Sequence, residues 1–350
     1  MIKKELFGKM PCGCEVYAYT LVNAIGASVK VITLGATLVS IRVPDINGEY
    51  ADVICGYDDV DSYLNNSGYQ GAIIGRFGNR IKNSSFTLDG VEYKLYNNEG
   101  DNHLHGGKVG FDKKLWSAKS WEVENTIFLE MTYFSEDMEE GYPGNLTVKV
   151  LYSFDHTNTL SIEYKASTDK KTVLNLTNHA YFNLCGCGSS KIVNHTLWLD
   201  ADKISEIDEN LIPTGREIPV ENTPFDFRTE KRIGKDIDAD NVILGYGKGY
   251  DHNYILNNKG EMKHIATLKD TYSGRSMLVY TNQPCIQIYT ANCINEDESP
   301  FKNGIPQKKR CAICMETQHA PNSPNQPEFP CCELNPWEIY DYTTIFKFER

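Results

Sequence analysis

Apolar and polar residues alternate through three consecutive stretches in the middle of the chain. Residues 127–133, 146–154 and 160–166 each place apolar side chains at every second position. Successive side chains of a strand point to opposite faces, so this pattern predicts three strands that each bury one face. The connections at 142–145 and 155–158 contain the Pro, Gly, Asn and Asp that tight turns use. We therefore expect an antiparallel meander.

Short strand-like runs also occur on both sides of this meander. The stretch 29–43 is rich in β-branched residues and is broken at Gly35, which predicts two strands or one bent strand. Later runs are expected at 197–199, 254–256, 277–281, 286–290, 312–315 and 342–348. A short helix is expected only near 58–64, and 200–234 reads as irregular. The pattern predicts an all-β fold, a large antiparallel β-sandwich with very little helix. No long charge run or Gly/Ser linker divides the chain, so one large domain or two closely packed ones are allowed, and we expect a single domain over residues 1–350.

The charge balance limits the classes of partner. The chain has 35 basic and 47 acidic residues and a formal net charge of -12, which argues against nucleic acid or an anionic membrane as the main partner. A neutral or cationic small molecule remains open as the partner. No apolar run has the length of a signal peptide core or a membrane span. Eleven cysteines, an odd number, are typical of a reducing compartment, so we expect a cytoplasmic protein whose thiols form no metal site.

The stretch 174–184 follows the meander and carries unusual polar residues. Read as one strand, it places Asn175, Thr177, His179, Tyr181 and Asn183 on one face and mostly apolar residues on the other. A solvated face would normally carry Lys, Glu or Arg. The uncharged polar face therefore indicates either a sheltered concave site suited to a neutral sugar or a hydrogen-bonded face buried under a loop.

Two glycine-containing segments also combine polar and apolar residues. In GRFGNRI, Arg76 and Arg80 are both at even-numbered positions, so they would share a face of a strand, and Asn79 precedes Arg80. If the two guanidinium groups are buried, they need hydrogen-bond partners. Sugar hydroxyls, substrate carboxylates or a structural salt bridge would all serve. In DNHLHGG, His103 and His105 share a face, and hydrogen bonding to an organic ligand is preferred over a metal because no third ligand is evident.

Two later segments place carboxylates at strand positions. YDHNY, with Asp251, opens a strand, and an apolar strand ends in METQ, where Glu316 and Gln318 share a face. A carboxylate that emerges from a buried strand is a candidate general base, because desolvation raises its pKa. A surface Glu at a strand end is the alternative.

Taken in order, the segments GRFGNRI, NHLHGG, NLTNHAYFNL, YDHNYIL, TNQP and METQ resemble the aldose 1-epimerase (galactose mutarotase) family. GFDKKLW, IPTG, TPFDF and FPCCELNPWEIY extend the resemblance over nearly the whole chain. It implies a β-supersandwich whose concave face binds the sugar, a cofactor-independent isomerase and a free aldose such as galactose or glucose as substrate.

The resemblance also implies residue roles. Glu316 would be the general base, His179 the general acid, and His105 would assist at the ring oxygen. The residues implied to hold the sugar hydroxyls are Asn79, Arg80, Tyr181, Asp251 and Gln283. Three alternatives stay open: a non-catalytic sugar-binding protein on the same fold, a sugar-phosphate epimerase, and a glycoside hydrolase that would use Glu316 and Asp251 as its two carboxylates.

Overall fold

The computed structural model describes residues 1–189 and 191–350. The strands of the first third are β1 (Ile2–Lys9), β2 (Glu15–Val22), β3 (Ser28–Ile32), β4 (Thr37–Pro44), β5 (Tyr50–Asp52), β6 (Ile73–Ile74), β7 (Arg80–Ile81), β8 (Ser85–Leu88), β9 (Val91–Lys94) and β10 (His103–Leu104). The central strands are β11 (Ser117–Val123), β12 (Thr126–Ser135), β13 (Leu146–Asp155), β14 (Thr159–Thr168), β15 (Thr172–Val173), β16 (Thr177–Asn178), β17 (Tyr181–Phe182), β18 (Thr196–Leu199), β19 (Ala201–Ile207), β20 (Pro213–Pro219) and β21 (Lys231–Arg232).

The last third contributes seven strands and one of the two short α-helices in the described residues. The strands are β22 (Asp251–Leu256), β23 (Lys263–Lys269), β24 (Ser276–Thr281), β25 (Cys285–Tyr289), β26 (Ile313–Gln318), β27 (Glu333–Leu334) and β28 (Tyr340–Glu349). The α-helices are α1 (Val60–Asn65) and α2 (Val242–Tyr246). Single 3-10 turns lie at Lys82–Ser84, Phe111–Lys113, Glu139–Gly141, Ile192–Asn194, Ile233–Lys235, Lys302–Gly304 and Ser323–Asn325.

Three antiparallel sheets make up most of the molecule. The largest has nine strands in the order β11-β12-β13-β14-β28-β24-β23-β18-β21, and the other two are β1-β2-β3-β4-β5 and β17-β26-β25-β22-β19-β20. One continuous apolar core joins all three, with Leu38 from the five-stranded sheet, Val148 from the nine-stranded sheet and Met315 from the six-stranded sheet. The all-β sandwich predicted from the alternation is confirmed.

The predicted meander is the centre of the nine-stranded sheet. Met131 pairs with Val150, and Val150 pairs with Tyr164, so apolar residues of β12, β13 and β14 stand side by side on the buried face. The interruption at Gly35 separates β3 from β4, as expected, and α1 begins near the predicted helix. None of the helices in the described parts of the chain combines the length and the apolar character needed to cross a bilayer.

Three local predictions were wrong. A second short helix, α2, forms at Val242–Tyr246, where none was expected. The stretch 200–234 is not irregular, because it contains β19, β20 and β21. The stretch 174–184 is not one strand, because only the two-residue strands β16 and β17 form there, and they pair with different partners, β6 and β26. Side chains at both odd and even positions of this stretch are buried, including the polar side chain of Asn178. The alternation therefore described a segment enclosed on all sides rather than a half-buried strand.

Candidate active site

A cavity of about 270 Å³ opens on the polar face of the six-stranded sheet. Its floor comes from β17, β26, β25 and β22, and its walls come from the segments around residues 67–70, 79–80, 104–105 and 293–298. The sequence-predicted residues that line it are Asn79, Arg80, His105, His179, Tyr181, Asp251 and Glu316. The volume lies near the lower end of ligand pockets, about 300–1,000 Å³, which suits a small polar molecule.

Strand register explains how Glu316 reaches this cavity. All six residues of β26 are buried, and the alternate residues Ile313 and Met315 point into the apolar core. Glu316 therefore points to the opposite face. Its neighbour across β25 is Gln287, whose own neighbour across β22 is Asn253, so three polar side chains form a row across adjacent strands.

The His179 imidazole faces the Glu316 carboxylate. Nε2 of His179 lies 3.7 Å from Oε1 of Glu316, and both side chains are almost completely buried. The backbone N–H of His179 donates to the carbonyl of Ala72, and the ring stacks on Tyr181 with centroids 5.2 Å apart. Oε2 of Glu316 and Nδ1 of His179 have no hydrogen-bond partner among the described residues. These buried polar atoms are available to a ligand.

Burial shifts both groups toward their neutral forms. Desolvation raises the pKa of Glu316 well above its ordinary value, and the nearby Asp251 charge raises it further, while Arg80 opposes the shift. Desolvation lowers the pKa of His179 to about 4. The carboxylate thus becomes a stronger base and the imidazolium a stronger acid, which is the direction that proton exchange with a substrate requires.

A small antiparallel pair positions His105 beside Asn79. Leu104 in β10 pairs with Arg80 in β7, which brings two segments that are distant in sequence together. At Gly106 the backbone has φ of +87°, and a Cβ there would lie 1.9 Å from the carbonyl oxygen of Gly75. Only glycine permits this close approach. The turn after His105 is therefore held tightly against the GRFGNRI segment.

A backbone hydrogen bond fixes the tautomer of His105. The backbone N–H of Asn79 donates to Nδ1 of His105 at 3.1 Å. Nδ1 must therefore be the acceptor, and the proton of the neutral ring is on Nε2. Burial lowers the pKa of His105 well below its ordinary value, so the ring is neutral and acts as a donor through Nε2.

This tautomer bears on the question of a metal. One possible ligand atom from each of His105, His179 and Glu316 lies within 4.8 Å of the other two, a spacing that an ion could bridge. A metal needs a free lone pair on the ring nitrogen that faces it. Because Nδ1 of His105 already accepts from the backbone and Nε2 carries the proton, this hydrogen bond disfavours coordination and favours a role as hydrogen-bond donor.

Two further hydrogen-bonded pairs line the cavity. Nε and Nη2 of Arg80 donate to the two carboxylate oxygens of Glu99 at 2.7 and 2.8 Å. Nε2 of Gln287 donates to Oδ1 of Asp251 at 2.6 Å. Bidentate pairing fixes the plane of the guanidinium group, and the amide fixes the carboxylate. Both pairs present preoriented polar groups to the cavity.

Gln283 is a correction to the predicted site. Its side chain is fully buried away from the cavity lining, and its Nε2 donates to the hydroxyl of Tyr340 at 3.1 Å. It lies in the turn before β25, whereas Gln287 lies within β25 at the register of Glu316. The structure therefore places Gln287 rather than Gln283 in the cavity lining, a difference set by strand register.

Two other candidates from the sequence have structural roles. The guanidinium group of Arg76 is buried and donates to the hydroxyl of Ser135 at 2.8 Å and to backbone carbonyls, including that of Pro143 at 3.0 Å. His103 contacts the carbonyl of Tyr96 through Nδ1 and the hydroxyl of Tyr142 through Nε2, both at 2.7 Å. Neither residue lines the cavity.

Comparison with known proteins then identifies the family. The profile described as aldose 1-epimerase matches residues 17–347. The chain belongs to the aldose 1-epimerase family. It is 40% identical to a galactose mutarotase from Bos taurus over 99% of this chain and 98% of the relative. An aldose 1-epimerase from Escherichia coli is 36% identical over 97% of this chain and 96% of that protein.

Solved structures agree with this assignment. A galactose 1-epimerase from Lactobacillus acidophilus has a TM-score of 0.87 and 28% identity, and the match covers 100% of this chain and 98% of that one. An aldose epimerase homologue from C. elegans has a TM-score of 0.85 and 29% identity over 95% and 98% of the two chains. The expected family, fold class and enzyme class, a mutarotase, are confirmed.

Several further residues line the cavity without a role assigned to them individually from the sequence. The ring centroid of Tyr69 lies 4.7 Å from that of His105 and 6.1 Å from that of His179. Glu99 lies in an irregular segment, and the rim residues from Cys293 to Glu298 lie in a loop. No motif marks these positions, since loop residues meet the site only through tertiary folding. The alternation in β25 was the one signal that could have found Gln287.

Proposed function

We propose that the chain interconverts the α and β anomers of free aldohexoses such as galactose and glucose by general acid/base ring opening. The observation that carries the proposal is the pair of buried groups Glu316 and His179, 3.7 Å apart. Glu316 takes the proton of the anomeric hydroxyl, and His179 gives a proton to the ring oxygen. The ring opens to an aldehyde, rotates about its terminal C–C bond and closes on the other face, with the two roles exchanged.

The proton count of the pair follows from this chemistry. A neutral imidazole would have to become an imidazolate if it gave up its proton, so the acid must be the imidazolium form of His179. The reacting pair is therefore ionised Glu316 with protonated His179, which holds one proton in total. An isolated pair with neutral Glu316 and neutral His179 holds the same number. The enzyme should therefore be most active at pH values between the two apparent pKa values of the pair, where the pair holds one proton.

The other cavity residues would orient the sugar. We propose that Nε2–H of His105 donates to the ring oxygen or its neighbour, since its tautomer is fixed by Asn79. Asn79, Arg80, Tyr181 and Asp251 would bind the hydroxyls, with Gln287 in place of Gln283. Groups already held by protein hydrogen bonds lose little freedom when the sugar binds, which favours binding and orientation.

The charges of the cavity favour a free sugar over a sugar phosphate. Arg80 is the only lysine or arginine among the described residues that line the cavity, and Glu99 pairs with it. The other acidic lining residues are Asp251, Glu298 and Glu316. A phosphate group would meet an excess of negative charge there. We therefore expect a hexose 6-phosphate to be a poorer substrate than the free hexose.

Mutarotation of freshly dissolved α-galactose, followed by polarimetry or by a coupled dehydrogenase, tests the proposal. Glu316→Gln and His179→Asn should each abolish most of the acceleration over the spontaneous reaction. Glu298→Gln is the matched control, because Glu298 lines the rim and hydrogen-bonds to Ser67 outside the reacting pair. Near wild-type rates in either catalytic variant would reject the roles, and sugar binding without turnover by the wild type would favour a non-catalytic sugar-binding protein.

We also propose that residues 1–350 form one domain and that the protein works in the cytoplasm. The shared apolar core of the three large sheets supports the single domain. All eleven cysteines are free thiols, which supports a reducing compartment.

A further inference from the structure

A second cavity lies at the far edge of the nine-stranded sheet, beside the terminal strand β21. Its volume is about 660 Å³, and it shares no lining residue with the candidate active site. The charged residues that line it are Lys191, Lys231, Arg232, Lys235, Arg310 and Asp238. Five cations and one carboxylate give this cavity a formal charge of +4, whereas the whole chain carries -12.

Nearby carboxylates neutralise only part of this charge. Asp238 forms a bidentate pair with Arg310 at 2.8 and 2.5 Å, and Asp236 accepts from Nζ of Lys231 at 2.7 Å. The remaining three cations have no carboxylate within ion-pair distance among the described residues; they are Lys191, Arg232 and Lys235. These three side chains are exposed, and Arg232 donates to the Asn194 amide oxygen, so their like charges border one concavity and can attract an anion to it.

The backbone holds these cations on a fixed framework. The backbone N–H of Ile233 donates to the carbonyl of His195, and that of Ile192 donates to the carbonyl of Arg310, both at 3.0 Å. At Gly234 a Cβ would lie 2.7 Å from the carbonyl oxygen of Val193, so the two 3-10 turns approach as closely as the chain permits. Nε of Arg310 is buried and has no partner among the described residues.

We propose that this cavity binds a phosphorylated organic anion. Guanidinium and ammonium groups are the side chains that recognise phosphate, and the three cations without a carboxylate partner can face the roughly two negative charges of a phosphate monoester. Val193 and Ile237 line the same cavity and give the organic part of the ligand an apolar contact. Cationic residues also protect edge strands from aggregation, but that role needs no concave surface with an apolar wall. The proposal does not depend on the mutarotase reaction.

Calorimetric titration of the full chain tests the proposal, with glucose 6-phosphate and inorganic phosphate as probes. We expect saturable binding of glucose 6-phosphate that weakens with added salt and persists in saturating galactose, which occupies the other cavity. Inorganic phosphate should bind more weakly. Lys191→Glu with Lys235→Glu should reduce affinity by about tenfold or more for each lost cation. Lys3→Glu with Lys94→Glu makes the same change in net charge at exposed positions elsewhere and should leave binding unchanged.

Four outcomes would overturn the proposal. The first is absence of saturable binding by the wild type, and the second is equal binding by the Lys191/Lys235 variant. The third is displacement of glucose 6-phosphate by galactose, which would place the anion in the catalytic cavity. Binding of a poly-glutamate peptide without glucose 6-phosphate would also overturn it, in favour of an acidic protein partner. Retained mutarotation by the Lys191/Lys235 variant verifies that it is folded.

Discussion

Replacing Glu316 with Gln should lower activity and raise stability at the same time. The substitution keeps the shape of the side chain but removes the proposed general base. Base catalysis by a positioned group contributes about 10²–10⁴-fold, so kcat/KM should fall by that factor, which is about 3–5 kcal/mol of barrier. His179→Asn should cause a similar loss. Because the two groups act as a pair, the double variant should lose far less than the product of the single losses.

The stability effect follows from the burial of the same carboxyl group. Burial raises the pKa of Glu316 in the folded chain above its ordinary value of 4.5. The unfolded chain therefore ionises this group first, and the native state loses stability relative to it as pH rises above about 4.5. Gln does not ionise. The free energy of unfolding of Glu316→Gln should match that of the wild type near pH 4 and exceed it by a margin that grows as the pH rises to 7.

Urea unfolding at a series of pH values, together with mutarotation rates, measures both effects. Glu298→Gln serves as the control, since it removes a carboxylate from the exposed rim. A stability gain that does not grow with pH would refute the assignment of Glu316 as a desolvated acid. If the loss of kcat/KM in the double variant equals the product of the losses in the two single variants, Glu316 and His179 do not act as a pair.

Three further predictions test other parts of the site. In a plot of kcat/KM against pH, Asp251→Asn should move the basic limb to lower pH. Desolvation and the Asp251 charge both raise the pKa of Glu316, and this substitution removes the second of these effects. Gln287→Ala should raise KM for galactose, whereas Gln283→Ala should leave KM unchanged; equal effects in steady-state kinetics would contradict the corrected assignment. Gly106→Ala should lower the free energy of unfolding by about 2 kcal/mol or more in urea, because its Cβ would lie 1.9 Å from a carbonyl oxygen.

The sequence by itself determined the class of fold and most of the chemical groups. Strand alternation depends only on the period of two, so residues 127–166 predicted β12, β13 and β14 without any knowledge of their partners. Polar residues in apolar or glycine-rich surroundings are also visible locally, and this signal selected Glu316, His179 and His105. Resemblance to the family then related these separate segments to one another.

Only the tertiary structure decided which of these groups meet. Arg76 and Arg80 look alike in sequence, yet backbone carbonyls enclose the first while the second faces the cavity. Gln283 and Gln287 differ in the same way, because the register of β25 against β26 determines which amide lies beside Glu316. The stretch 174–184 alternates like a strand but is divided between two sheets. Periodicity reports which side of a segment is apolar, whereas register and pairing depend on contacts between residues far apart in the chain.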